Sequence, residues 1–247
     1  MAARFLSLCA LALWAAQPAR AETVDLALVL AVDVSESVDA DEYQLQHEGI
    51  ARAFESSEVV RAITGGAHGA IDALVLEWSD RDKQVITVDW TRVFDAASAG
   101  AFAARVRASQ RSSHGLTAIG DALLAAGAAL TRVGDKADRQ VIDLSGDGIA
   151  NIGPNPETVR DGLVAEGITI NGLAILKTEP WLATYYDQSV VGGDNAFLLK
   201  VEDFQSFAIA MRQKLLAEIA ARRNGRRAAL QMQKVLSGAK PLKPTEE

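Results

Sequence analysis

Residues 26–37 read Leu26-Ala27-Leu28-Val29-Leu30-Ala31-Val32-Asp33-Val34-Ser35-Glu36-Ser37. Seven apolar residues in unbroken succession lack the alternation of a half-wet strand. They suit a strand buried on both faces, as in a parallel sheet covered by helices. The run stops at a carboxylate and two hydroxyls. In an open α/β sheet ligands gather beyond the carboxyl ends of the strands, where the strand order reverses. The stretch therefore predicts both a layered fold and the place of its site.

The chain on either side agrees. Asp39 to Arg61 has helical spacing, with Tyr43, Ile50 and Phe54 on one side. Ala70 to Trp78 reads as a second strand. Gln84 to Trp90 alternates and follows the short polar turn Ser79 to Lys83, which predicts an antiparallel hairpin. Helices are expected over Ala96 to Ser109 and Thr117 to Arg132. A fourth strand, Gln140 to Leu144, ends in Ser145-Gly146-Asp147-Gly148. Pro156 to Glu166 is a helix with Asn155 as its cap. Ile168 to Leu176 and Ala196 to Val201 are strands flanking a short helix, Pro180 to Gln188. Asp203 opens a last helix whose apolar positions are Phe204, Phe207, Ala208, Met211, Leu215 and Ile219. Strand–helix alternation predicts a doubly wound α/β fold: a mostly parallel six-stranded sheet, one antiparallel edge strand, and helices on both faces.

The 247 residues suffice for one such domain, and 49% hydrophobic against 23% charged residues excludes a wholly disordered chain. Three segments are expected. Residues 1–21 carry Arg4, an apolar stretch from Phe5 to Ala16, and Ala19-Arg20-Ala21 as a cleavage site, the pattern of a secretory signal peptide. The domain occupies residues 22–223. Residues 224–247 form a basic tail. Cys9 is the only cysteine, so the mature chain has no disulfide. Loss of Arg4 and Arg20 with the leader leaves 23 basic against 32 acidic residues, a net of −9. An acidic body argues against nucleic-acid binding. No second long apolar run follows the leader, so no transmembrane segment is expected in the mature chain.

The chemistry gathers at three places. Asp33, Ser35 and Ser37 follow the first strand, Thr117 starts a helix, and Asp147 follows the fourth strand. All five offer oxygen, which suits magnesium, calcium or manganese rather than zinc or copper. Two carboxylates balance a divalent charge while hydroxyls add none, so a bound ion stays electrophilic toward an incoming carboxylate. Each feature also has a plain reading. Asp33 to Ser37 can cap a helix, Thr117 can be an N-cap, and Asp147-Gly148 can be a turn.

Asp33-x-Ser35-x-Ser37 resembles the metal-ion-dependent adhesion site of von Willebrand factor type A domains. Gly115-Leu116-Thr117-Ala118-Ile119-Gly120-Asp121-Ala122-Leu123 is similar to the threonine segment of that family, and Leu144-Ser145-Gly146-Asp147-Gly148 to its second aspartate segment. The three occur in the family's order over Val24 to about Arg223, and secreted bacterial proteins carrying this domain are the nearest resemblance. It implies a metal held directly by Ser35, Ser37 and, in some states, Thr117, with Asp33 and Asp147 acting through water. Glu36 departs from the pattern at a position that is often small.

Three functions stay open on these residues. One is an exported module that binds a partner's carboxylate through the metal, in the periplasm or outside the cell. Another is a metal-independent assembly factor of the envelope. The third is a metal-assisted hydrolase. The sequence holds no Gly-x-Ser-x-Gly elbow and no His-Glu-x-x-His helix, so no enzyme is expected. His47, His68 and His114 show no metal spacing, and His114 lies near Thr117. Trp181, Tyr185 and Tyr186 either form a contact patch or pack on the sheet. Arg222, Arg223, Arg226 and Arg227 either touch anionic lipid or form a solvated helix end.

Overall fold

The structure, a computed structural model, describes residues 22–177 and 179–220. The expected leader, the tail and the four arginines from Arg222 onward lie outside them. The chain runs β1 (Thr23–Val24), β2 (Leu26–Asp33), α1 (Ala40–Glu55), α2 (Ser57–Thr64), β3 (Ile71–Trp78), β4 (Gln84–Val93), α3 (Ala96–Ala108) and α4 (Ile119–Leu130). It continues through β5 (Lys136–Ala137), β6 (Gln140–Gly146), α5 (Pro156–Ala165), β7 (Thr169–Ile175), α6 (Leu182–Ser189), β8 (Leu198–Val201), a 3₁₀ turn over Phe204–Ser206 and α7 (Phe207–Ala220).

Six strands form one sheet in the order β4-β3-β2-β6-β7-β8. Only the β3–β4 pair is antiparallel, and β4 is the edge strand. The expected fold class is therefore the observed one. Two short strands, β1 and β5, pair separately beside the main sheet; two-residue strands carry no periodicity to read.

Alternation along β2 divides the core. Leu26, Leu28, Leu30 and Val32 pack with apolar residues of α1, α2, α3 and α7. Ala27, Val29 and Ala31 face the other way, among residues of α4, α5 and α6. Small residues on that second side let the alanine-rich α4 lie close to the sheet. All eight residues of β2 are buried, as the unbroken apolar run requires.

The single helix expected from Asp39 to Arg61 is two. Ser56 is extended (φ −62°, ψ 126°), and its side chain accepts from the Glu58 N–H to start α2. Serine offers the backbone this local alternative to helix, which apolar spacing does not register. The helix expected from Thr117 begins later, at Ile119. Asn155 caps α5 as expected, accepting from Glu157 and Thr158. Asp203 caps the 3₁₀ turn that precedes α7. On α7 the apolar positions Phe207, Met211 and Leu215 are buried, but so are Lys214 and Glu218. Lys214 Nζ lies 2.6 Å from Asp143 Oδ1 and 3.0 Å from Glu218 Oε1, an ion triad between α7 and β6.

Gly120 fixes how close α4 comes to the loop after β6: a Cβ there would lie 2.2 Å from the Pro154 carbonyl oxygen. That oxygen belongs to backbone and cannot swing aside. Gly120→Ala is expected to lower the urea midpoint by the equivalent of about 1–3 kcal/mol at an unchanged m-value.

Candidate functional site

The parallel register of β2 with β6 runs to Val32↔Ser145. Asp33 and Asp147 thus leave adjacent strands at the same carboxyl edge. Asp33 is fully buried. Its Oδ1 accepts from the Ser35 N–H at 2.8 Å, which folds the chain back into a tight loop. That loop places the Ser35 and Ser37 hydroxyl oxygens 3.1 Å apart. Ser37 Oγ donates to Asp147 Oδ1 at 2.6 Å. Four of the five predicted residues therefore form one connected group.

Thr117, the fifth, is buried beside them. Its N–H donates to Asn151 Oδ1 at 2.9 Å, and its carbonyl accepts from the Asn151 N–H. The Glu36 N–H donates to the Gly115 carbonyl, joining the serine loop to the threonine segment. Gly148 neighbours Thr117: a Cβ there would make ordinary contact with Thr117 Oγ1 and Cγ2 at 3.7 Å. The threonine segment thus borders both aspartate loops.

The two capping readings fail on geometry. The cap of α1 is Asp39, in a reciprocal capping box with Glu42, and not Ser35 or Ser37. The cap of α4 is Ala118, with no side-chain bond, so the Thr117 hydroxyl has no capping task.

Buried polar atoms without good partners face the same space. Asp33 Oδ2 and Tyr186 Oη are both buried and make no hydrogen bond of acceptable geometry. A Cβ on Gly146 would lie 2.8 Å from the first and 2.5 Å from the second, so only glycine leaves this cradle open. Burial pushes the Asp33 carboxyl up to about 7, and the neighbouring Asp147 charge adds to it. Burial, with the charges of Asp33 and Asp147, also keeps the Tyr186 phenol neutral. An anionic carboxylate here calls for a cation, and an orphaned oxygen beside two hydroxyls matches the donor set of a hard ion.

Several contributors escaped the sequence reading. Arg111 donates to the Val34 and Ser35 carbonyls, each at 2.7 Å, and pins the serine loop from behind. Glu77, buried on β3, accepts from Tyr43 Oη at 3.0 Å and meets His47 Nε2 at 3.0 Å. Its other oxygen takes the Ser112 N–H at 2.7 Å. Burial presses the Glu77 carboxyl up, and the bonds from His47 and Ser112 outweigh it, leaving it below its ordinary 4.5. This knot ties α1 to the segment leading into Thr117. Lys177, just beyond β7, places its ammonium 2.8 Å from Asp147 Oδ2. One signal for it exists: like Asp33 and Asp147, it is a polar residue closely following a strand.

The other candidates separate. Glu36 is exposed and does not fill the site. His47 belongs to the buried knot. The His114 carbonyl accepts from Ser79 Oγ. Tyr186 packs fully under the sheet edge, Trp181 is half exposed, and the Tyr185 hydroxyl accepts from the Ala150 N–H. His68, read as lacking metal spacing, lies in space with Asp25 and Asp138, all three within 4.8 Å. Asp25 there accepts from the Ala67, His68 and Gly69 N–H groups, so its carboxylate already organises that loop.

The model of a family described as "Protein of unknown function (DUF1194)" matches residues 23–223, and the chain belongs to that family. No curated protein sequence matches. Among solved structures, proximal thread matrix protein 1 from the mussel byssus, with a zinc-occupied MIDAS motif, is 20% identical; the match covers 81% of this chain and 49% of that one, with a TM-score of 0.58. A von Willebrand factor type A protein from Catenulispora acidiphila is 15% identical, covering 79% of this chain and 43% of that one, TM-score 0.55. The pilus adhesin SpaC from Lactobacillus rhamnosus GG is 11% identical, covering 79% and 31%, TM-score 0.57 in its open conformation at 12% identity over 79% and 30%, and 0.58 in the other form. The chain thus spans about half or less of the length of these proteins. At these identities the likeness shows the fold, that of a type A domain.

The knot around Glu77 gives a test of how the threonine segment is held. Glu77→Gln is expected to lower stability at pH 7 by about 1–3 kcal/mol in urea unfolding. Because the folded Glu77 value lies below 4.5, its contribution is full above that pH and is lost as pH falls through the folded value. The gap between wild type and variant therefore closes on acidification.

Proposed function

We propose, from its membership of the DUF1194 family and its type A fold, that this chain is an exported binding module. One divalent ion at the carboxyl end of the sheet captures an acidic group of a partner protein. The observation that carries the reading is the convergence of Asp33, Ser35, Ser37 and Asp147 around a buried carboxylate oxygen with no partner. When bound, the ion supplies an electrophilic coordination position that a carboxylate can fill.

The chain's own residues do the rest. Ser35 and Ser37 present neutral oxygens. Ser37 points its O–H at Asp147 in a hydrogen bond, which leaves its oxygen lone pairs for a cation. Asp33 and Asp147 supply the balancing charge through water, as the family resemblance implies, and Thr117 completes the set from its own loop. The donors favour Mg2+, Ca2+ or Mn2+. Leu116 and Ile149, next to Thr117 and Gly148, are exposed. They offer apolar contact around the captured carboxylate, so that recognition does not rest on charge alone. No helix among the described residues is long and apolar enough to cross a membrane. Residues 1–21 act as the export leader, cut after Ala21, and deliver the domain at residues 22–223 to the periplasm or the outside. The work is binding rather than catalysis.

A second reading is favoured by the Lys177 ammonium already seated on Asp147: a metal-independent assembly factor of the envelope. Calorimetric titration with Mg2+, Ca2+ and Mn2+ separates the two. The metal reading expects about one ion per chain, with binding lost in Asp33→Ala and partner complexes released by chelator. Partner complexes that persist in chelator and in Asp33→Ala would overturn it in favour of the second.

A further inference from the structure

Lys177 is held more firmly than its exposed position suggests. Its backbone is left-handed, with φ 48°, a region a lysine seldom enters without compensation. Its Nζ lies 2.8 Å from Asp147 Oδ2, donates to the Ser37 carbonyl at 2.8 Å, and lies 3.0 Å from the Glu42 Oε1 carboxylate oxygen. The ammonium donates to the serine loop and to Glu42 in the first turn of α1, while its contact with Asp147 at the end of β6 is one of charge, that oxygen making no hydrogen bond of good geometry. Its side chain also passes the face of Phe204, with Nζ 5.1 Å from the ring centre.

The placement has a consequence for the metal site. Ser37 occupies Asp147 Oδ1 and Lys177 stands on Oδ2. A divalent ion drawing on Asp147 therefore meets a positive charge already there. Lys177 need not go into solvent to yield, because Glu42 holds the same ammonium and is itself fixed by its capping box with Asp39. Asp147 and Glu42 are thus two seats for one tethered charge.

Resting on the metal-site reading, we infer that Lys177 is a tethered cation that neutralises Asp147 in the metal-free chain and competes with the divalent ion for it. Lys177 then sets the affinity of the site. It keeps the site closed to traces of metal and lets it fill at higher concentration. It also lessens the metal-free fold's need for the ion, since Asp147 keeps a counter-charge when no metal is bound.

The test compares the full chain with Lys177→Gln and Lys136→Gln. Lys136 lies on β5, which pairs with β1 ahead of the amino end of β2, so its variant loses the same charge away from the site. Mn2+ is titrated calorimetrically, and thermal midpoints are read in chelator and in Mn2+. Lys177→Gln is expected to bind Mn2+ about tenfold more tightly than wild type, from removal of one positive charge a few ångströms from the ion. Lys136→Gln should stay within about twofold. In chelator Lys177→Gln should melt below wild type and recover in Mn2+. Equal or weaker Mn2+ binding by Lys177→Gln, with wild type binding normally, would overturn the tethered cation and leave the metal site standing. An unchanged midpoint in chelator would overturn it as well. No binding by either protein would remove both ideas together.

Discussion

The parallel pairing of β2 with β6 is the constraint on which the rest depends. These strands are far apart in sequence, and their pairing makes β2 central, with β3 on its other side. Chain leaves the two strands at one edge, and their register brings Asp33 at the end of β2 and Asp147 just after β6 to the same place. Neither carboxylate would be tolerable at such depth alone. Side by side they repel, and burial pushes Asp33 up to about 7. Two local hydrogen bonds and one ion pair answer that cost: the Ser35 N–H on Asp33, the Ser37 hydroxyl on Asp147, and the Lys177 ammonium beside Asp147. A buried charge without such partners would shift the fold toward the protonated form or toward opening.

Support for the site is spread over the whole upper edge of the sheet. Arg111 holds the serine loop by its carbonyls, and Glu77 gathers Tyr43, His47 and Ser112 beneath it. Glycine at 146 lets the end of β6 come close to Tyr186 and Asp33. These residues act by position. They keep hydroxyl and carboxylate oxygens facing one space, and a hard cation rewards that arrangement more than any single ligand does.

Much of this was legible in the sequence because burial writes itself as pattern. The apolar run of β2, the antiparallel hairpin of β3 with β4 and the Asn155-Pro156 start of α5 each reflect a local rule. The meeting of Asp33, Ser35, Ser37 and Asp147 is legible because their short motifs sit at the ends of two strands, whereas Thr117 joins them from the loop ahead of α4. What escaped depends on distant partners. Ser56 breaks a helix whose apolar spacing runs through it, since a serine side chain can satisfy the backbone locally. Lys214 and Glu218 are buried on a helix whose pattern placed only apolar residues inside, because Asp143 from β6 completes their charges. His68 showed no metal spacing in sequence, yet folding carries it to Asp25 and Asp138. Lys177 is one lysine among many until the sheet order brings the end of β7 beside the end of β6.

The central claim is that a hard cation sits among Asp33, Ser35, Ser37, Thr117 and Asp147. The most direct measurement is an anomalous difference map from crystals of the chain grown with manganese, recorded at the manganese edge. The account predicts a peak within coordination distance of the Ser35 and Ser37 hydroxyl oxygens. A map with no peak there, or with its only peak between Asp25, His68 and Asp138, would contradict it.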